Sequence, residues 1–211
     1  MRGTGTPRVF LLSPAFAGGQ RARLLMNESA QFDLACRLRS DNPPTLGEVF
    51  AFLSGLYFRG KLAYAQAFTS PRARYTGILV ITPTRGLLSA DLPITTADLR
   101  AFAEVDIAAD DPRYRKPLER DLRKLVRQLG AGGSAILLGS IATGKYADVL
   151  LRHLGSRLLF PGDFVGRGDM SRGGLLLRSA ADEIELDYIP VQGAMRTGKR
   201  PPKLPPRRYS K

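Results

Sequence analysis

The sequence predicts an α/β protein: three layers, with a mainly parallel sheet flanked by helices and a C-terminal β-hairpin. Short continuous apolar runs, Val9-Phe10-Leu11-Leu12, Gly77-Ile78-Leu79-Val80-Ile81, Ser134-Ala135-Ile136-Leu137-Leu138 and Leu158-Leu159-Phe160, suit strands buried on both faces. Segments with helical apolar spacing separate them, as crossover connections between parallel strands require. The runs lead into turns carrying Gly or Pro. At 211 residues, 44% apolar and 24% charged, the chain suits one globular domain and is too hydrophobic for general disorder. We assign residues 1–194 to a single α/β domain and 195–211 to a basic, Pro-rich tail.

In chain order, a small polar lead-in precedes the first strand, which ends at Ser13-Pro14. Ser29 is positioned to cap a helix carrying Phe32, Leu34 and Leu38, and Asn42-Pro43-Pro44 breaks it. Thr45-Leu46-Gly47-Glu48 is a capping box before Val49, Phe50, Phe52 and Leu53. A further helix runs through Leu62, Ala65 and Phe68 to end near Ser70-Pro71. The second strand ends in the turn Thr82-Pro83-Thr84-Arg85-Gly86. Thr95 or Thr96 caps a short helix with Leu99 and Phe102, and Pro117 is expected to open a longer one whose Leu118, Leu122, Leu125, Val126 and Leu129 share a face. The third strand leads through Gly139–Lys145 into a helix with Leu150, Leu151 and Leu154, stopped at Gly155. After the fourth strand, Leu175-Leu176-Leu177 and Ile184–Ile189 read as the terminal hairpin, turning near Ala181-Asp182. Pro201-Pro202 and Pro205-Pro206 keep the tail extended rather than packed.

The net charge of +13 favours polyanionic partners. Seven of the cations, from Arg196 to Lys211, lie in a tail stretch without a carboxylate, leaving +6 on the rest. Of 32 basic residues 25 are Arg, whose planar fork suits phosphate, although codon bias would yield the same excess. One Cys (Cys36) excludes an internal disulfide and one His (His153) excludes paired-histidine zinc motifs. No metal or cofactor is expected. No run approaches the roughly 20 apolar residues of a membrane-spanning helix, and the one export-like segment, 8–17, is broken by Ser13-Pro14. A cytoplasmic location without membrane contact is expected.

Ligands of open parallel sheets bind beyond the carboxyl ends of the strands. Four segments should converge there: Ser13–Gly19, Thr82–Gly86 with Thr84 and Arg85, Gly139–Lys145, and Pro161–Gly174. Gly139, Ser140, Thr143, Gly144 and Lys145 fit GxxxxGK between a strand and a helix, a phosphate-binding context. Tyr146 stands where a magnesium-ligating Ser/Thr would follow, which argues against an ATPase and leaves a simpler anion-binding turn or a plain Gly-rich turn. In Phe160–Gly174, Asp163 or Asp169 is the candidate base or stabiliser of an oxocarbenium charge. Arg167, Ser171 and Arg172 are candidate phosphate contacts, and Asp–Arg pairs that merely lock the loop are the alternative. Tyr57, Phe58, Arg59 and Lys61 interleave aromatic and basic side chains, so that Tyr57 could stack on a base or simply pack a helix face. Ser13 is a candidate polar contact; it lacks a GxSxG elbow, and a turn hydrogen bond is its plainer role. His153 suits a surface or core-edge position better than a catalytic one.

Several of these motifs together resemble the YaaA-like proteins: Leu12-Ser13-Pro14-Ala15, Ser54-Gly55-Leu56-Tyr57, Ile81-Thr82-Pro83-Thr84-Arg85-Gly86-Leu87-Leu88, and Gly144-Lys145-Tyr146 followed by Leu159-Phe160-Pro161. Their order over residues 8–174 is also similar to the uracil-glycosylase-like domain of archaeosine-synthase and tRNA-guanine-transglycosylase relatives. The resemblance implies a compact α/β fold and an association with nucleic acid, through DNA binding or the handling of a modified nucleobase. The chain departs from the pattern at Ala15-Phe16, where members commonly carry Lys, in a hairpin where a final helix follows the Gly-rich loop, and in its basic tail. The combined expectation is a nucleic-acid-associated protein, binding DNA or RNA, with a strand-end pocket for a nucleobase or nucleotide and a base-removing or base-exchanging, N-glycosidase-like activity. The alternatives are a small-molecule enzyme acting on a phosphorylated or carboxylated metabolite, and a non-catalytic interaction protein.

Overall fold

The computed structural model describes residues 7–69 and 77–206. It is an α/β fold built on a six-stranded sheet of order β3-β2-β1-β4-β5-β6. The strands are β1 (Arg8–Leu12), β2 (Ile78–Thr82), β3 (Gly86–Ser89), β4 (Ser134–Leu138), β5 (Leu158–Pro161) and β6 (Tyr188–Pro190). The central four are parallel, with Leu11 in register with Leu79 on one side and Leu137 on the other. The edge strands β3 and β6 are antiparallel to their neighbours. Phe10, Leu11, Leu12 and Ala135 to Leu138 are buried, which is why these strands are continuously apolar and do not alternate.

The helices are α1 (Gln20–Leu25), α2 (Asp33–Leu38), α3 (Leu46–Ser54), α4 (Leu56–Phe68), α5 (Thr96–Ala103), α6 (Pro112–Leu129), α7 (Ala147–Leu154) and α8 (Asp169–Asp182). Helix α4 packs on β1, α3 and α8, whereas α6 packs on β2, β3 and α7, and α7 on β5. The chain leaves β1 toward β2 by one layer and reaches β4 and β5 through the other. The winding therefore reverses between β1 and β4, and the carboxyl ends of those two strands form the topological switch point.

Local chemistry sets several boundaries. Thr45 and Glu48 form the anticipated capping box, with Glu48 also gripped by Arg37 at 2.7 Å; these bonds pull the Glu48 carboxyl down to about 2. Thr95 and Asp98 form a second box at α5. Helix α6 begins at Pro112, behind an Asp111 cap, and Pro117 lies inside it. The sequence expectation that Pro117 opens this helix is corrected: Asp111-Pro112 supplies both the cap and the N1 proline that its start requires.

The antiparallel C-terminal strand pair is present, but it joins β5 to β6. Leu175-Leu176-Leu177 is instead part of α8, and Ile184 lies outside any strand. The three leucines fall on a helix whose buried residues, Arg172, Gly173, Leu176 and Ser179, recur at helical spacing. This face meets α4 at close range: a Cβ on Gly60 would lie 2.6 Å from the Gly173 carbonyl oxygen, and one on Gly173 2.8 Å from that of Leu56. Strand β6 is tied down by Tyr188, whose hydroxyl lies 2.6 Å from that of Tyr64 and 2.7 Å from Glu185. The four-residue strand β3 and helix α1 are additions to the elements read from sequence. The Ser70-Pro71 stop lies outside the described residues; α4 itself ends at Phe68.

The described part of the tail has no helix or strand, and it packs on the body, where its prolines suggested an extended segment apart from it. Arg196 pairs with Asp148 at the start of α7, Pro202 O accepts a long bond from Arg167 at 3.5 Å, and Leu204 packs near Gly174. No helix among the described residues is long and apolar enough to cross a membrane.

Candidate functional site

Ser13 follows the last residue of β1, and its backbone N–H still bonds to Leu138 O of β4 at 3.1 Å. It therefore sits at the switch point, 4% exposed. Lys61 reaches the same place from α4 and is fully buried. Its Nζ lies 2.6 Å from Ser13 O and 2.9 Å from Ser13 Oγ. The remaining surroundings of the amine are aromatic, with the Tyr57 and Phe58 ring centroids at 4.5 and 4.6 Å. Burial without a carboxylate partner lowers the Lys61 pKa to about 7, and Asp169 opposes the shift only from a distance.

Gly139, directly after β4, forms the floor. A Cβ there would lie 2.8 Å from Ser13 Cβ and 2.9 Å from the Tyr146 hydroxyl, so the absence of a side chain lets Ser13 and Tyr146 meet. Burial raises the Tyr146 pKa, against the lowering effect of hydrogen bonding from Ser13 and the Ser140 backbone. Tyr57 stands one helical turn before Lys61 on α4, and the close α4–α8 crossing brings Arg172 into its neighbourhood. The Tyr57 hydroxyl is buried without a well-formed hydrogen bond; the Arg172 guanidinium is its polar neighbour and partly offsets the burial that pushes its pKa far up. Such an orphaned donor costs about 1–3 kcal/mol unless something else satisfies it.

Helix α8 contributes the charged wall. Arg172, 9% exposed, donates Nε and Nη2 to Phe164 O at 3.2 and 3.1 Å, and Nη1 to Asp169 at 3.2 Å. Asp169 is largely exposed, but its charge acts on Lys61, Tyr57 and Tyr146, so its carboxylate faces the cluster from the solvent side. Asp163 lies on a 3₁₀ turn, exposed, and its backbone carbonyl accepts a bond from Arg167 Nε at 2.9 Å.

The other sequence-chosen residues divide among three places. Arg167 and Ser171 join Arg178, Arg200 and Lys203 around a groove of about 310 Å³ between α8 and the tail, whose lining holds no carboxylate. Thr143, Gly144 and Lys145 border a different groove of about 490 Å³, shared with Asp106, Asp110 and Asp148. Those three carboxylates give the glycine turn acidic surroundings, opposite in sign to an anion cradle, and Ser140 caps its own turn by accepting from Ala142 N at 3.3 Å. Thr84 and Arg85 sit in the β2–β3 turn, where Arg85 pairs with Asp98 at 2.7 Å. His153 is half-buried on α7.

Sequence reasoning thus picked out Ser13, Tyr57, Gly139, Asp169 and Arg172 for the cluster. In the sequence Lys61 stands out only as the basic neighbour of a stacking residue and Tyr146 only as a departure from the P-loop pattern. Their signal was present: a lysine at i+4 from Tyr57 and i−3 from Tyr64 lies on an apolar helix face, where an amine needs a reason to be. Among the described residues no group of three His, Cys, Asp or Glu side chains is arranged to hold a metal.

Set against protein-family models, curated proteins and solved structures, the chain matches none.

Proposed function

We propose that the protein is a nucleic-acid-associated α/β protein whose switch-point site holds a nucleobase or nucleotide, with Asp169 as the carboxylate that would serve base removal or exchange. The buried Tyr57 hydroxyl, which makes no well-formed hydrogen bond, carries the proposal. It is a buried polar group beside Arg172 and Lys61, and a base edge or ribose oxygen would satisfy it. The net charge of +13 and the carboxylate-free groove of Arg167, Arg178, Arg200 and Lys203 support a phosphate-bearing partner. Helix α8 follows the Gly-rich loop, as the resemblance to YaaA-like proteins leads one to expect, and this favours that relationship without fixing the reaction.

The test is equilibrium binding of single- and double-stranded DNA and of RNA over a series of salt concentrations, repeated with Tyr57→Phe. Wild-type affinity should fall steeply with salt. Tyr57→Phe should not lower its unfolding midpoint, because the hydroxyl makes no well-formed hydrogen bond in the free protein, and should bind at least about 10-fold more weakly, the equivalent of one lost hydrogen bond. Absent or salt-insensitive binding overturns the proposal. Unchanged affinity in Tyr57→Phe removes the pocket from it.

A further inference from the structure

The amine–hydroxyl pair under this site is not needed to hold a base. We infer that Ser13 and Lys61 form a nucleophile–base dyad for acyl transfer, with Ser13 Oγ attacking the carbonyl carbon of an ester or thioester and Lys61 Nζ receiving its proton. This goes beyond the nucleotide proposal and does not depend on it.

The contacts of Lys61 favour a base over a structural cation. A buried ammonium needs a counter-charge, and the one carboxylate whose field reaches it, Asp169, is already paired with Arg172. Its two oxygen neighbours both belong to Ser13, and two aromatic faces take up its remaining surroundings. A neutral amine fits this environment at lower cost. As it stands Nζ donates to Ser13 O at 2.6 Å and to Ser13 Oγ at 2.9 Å; in the neutral amine the first bond is kept and the second contact reverses, the lone pair facing the hydroxyl at a distance over which a lysine takes a serine proton. The pair stands where open parallel sheets place their ligands. Tyr146, whose hydroxyl sits beside Ser13 over Gly139, is partly exposed and separates the dyad from the surface.

The step balances within the dyad and the substrate. As the Oγ–C bond forms, the serine proton passes to Lys61 Nζ and the carbonyl π pair moves to oxygen; the Tyr57 hydroxyl, which makes no well-formed hydrogen bond, is the donor in the cluster free to stabilise it. Collapse expels the alkoxide or thiolate, which leaves with the proton from Lys61. Water then cleaves the acyl-serine, with Lys61 again accepting a proton and returning it to Ser13.

The experiment treats the folded full-length protein with a small alkyl fluorophosphonate, which replaces the serine proton by a phosphonyl group and releases fluoride, and maps the adduct by peptide mass spectrometry. One adduct, on Ser13, is expected, and Lys61→Met should slow its formation by about 100-fold or more. Ser13→Ala should take up no label. Should either variant fail to fold, the wild-type map alone decides. A native protein that remains unlabelled, or carries its adduct on Tyr146 or elsewhere, overturns the inference. Loss of DNA and RNA binding would not affect it.

Discussion

Lys61 is a base tucked into a hydrophobic layer, and its cost varies with pH in a direction the burial dictates. Its pKa falls from 10.5 in an exposed chain to about 7 in the fold. Between those values the unfolded chain holds the proton and the native one does not, so raising the pH there favours the native state. Below about 7 both states are protonated, and the burial penalty is carried in full. Exposed groups contribute to the stability curve as well, and comparison with Lys61→Met removes them. The wild-type protein should therefore gain on Lys61→Met between pH 7 and 10, by a few kcal/mol. Urea unfolding of both proteins at three pH values measures this difference. A pH-independent gap would mean that Lys61 remains charged in the fold, and that its two bonds to Ser13 are those of an ammonium.

At the scale of elements, the site depends on how closely α4 and α8 approach. Gly60 and Gly173 remove both Cβ atoms from the crossing, letting the helix backbones touch and setting Tyr57 and Lys61 beside Arg172. A methyl group at 60 meets backbone, which cannot rotate aside. Gly60→Ala should cost at least about 1–3 kcal/mol and spread the helices. Gly168→Ala, at the open start of α8 with nothing within 4 Å of its added Cβ, should cost under about 1 kcal/mol. Chemical denaturation of the pair checks the contrast, and equal losses would show that the crossing relaxes freely. The same crossing explains what was legible beforehand. Apolar runs gave β1, β2, β4 and β5, and cap patterns gave α3 and α5, because those signals are local. Leu175-Leu176-Leu177 resembled a strand until tertiary packing against α4 decided the issue. The meeting of Ser13 with Lys61, 48 positions apart, follows from topology and has no local signature.

On the whole molecule, the exposed positive charge and the buried Ser13–Lys61 cluster lie in different places. The buried cluster has few charges, whereas the tail returns along α8 and contributes Arg200 and Lys203 to a groove that Arg167 and Arg178 line from the body. The tail is thus part of a surface as well as a carrier of positive charge. Ending the chain after Met195 removes seven cations and lowers the net charge from +13 to +6. Each lost phosphate contact makes the slope of log affinity against log salt shallower by about 0.7–0.9. If Arg200, Lys203 and at least one other tail cation touch the backbone, the slope should fall by about 2 or more and affinity at low salt by at least about 10-fold. Stability should barely change, since the exposed Arg196–Asp148 pair is the main polar tie lost and such pairs contribute about 0–1 kcal/mol. Binding isotherms of the truncated and full-length chains on the same oligonucleotide, beside their thermal unfolding curves, separate the two effects. A truncated chain with an unchanged salt slope would place the phosphate contacts on the body, with Arg167 and Arg178 as the next residues to substitute. A large fall in unfolding temperature would instead make the tail a structural strap over α8.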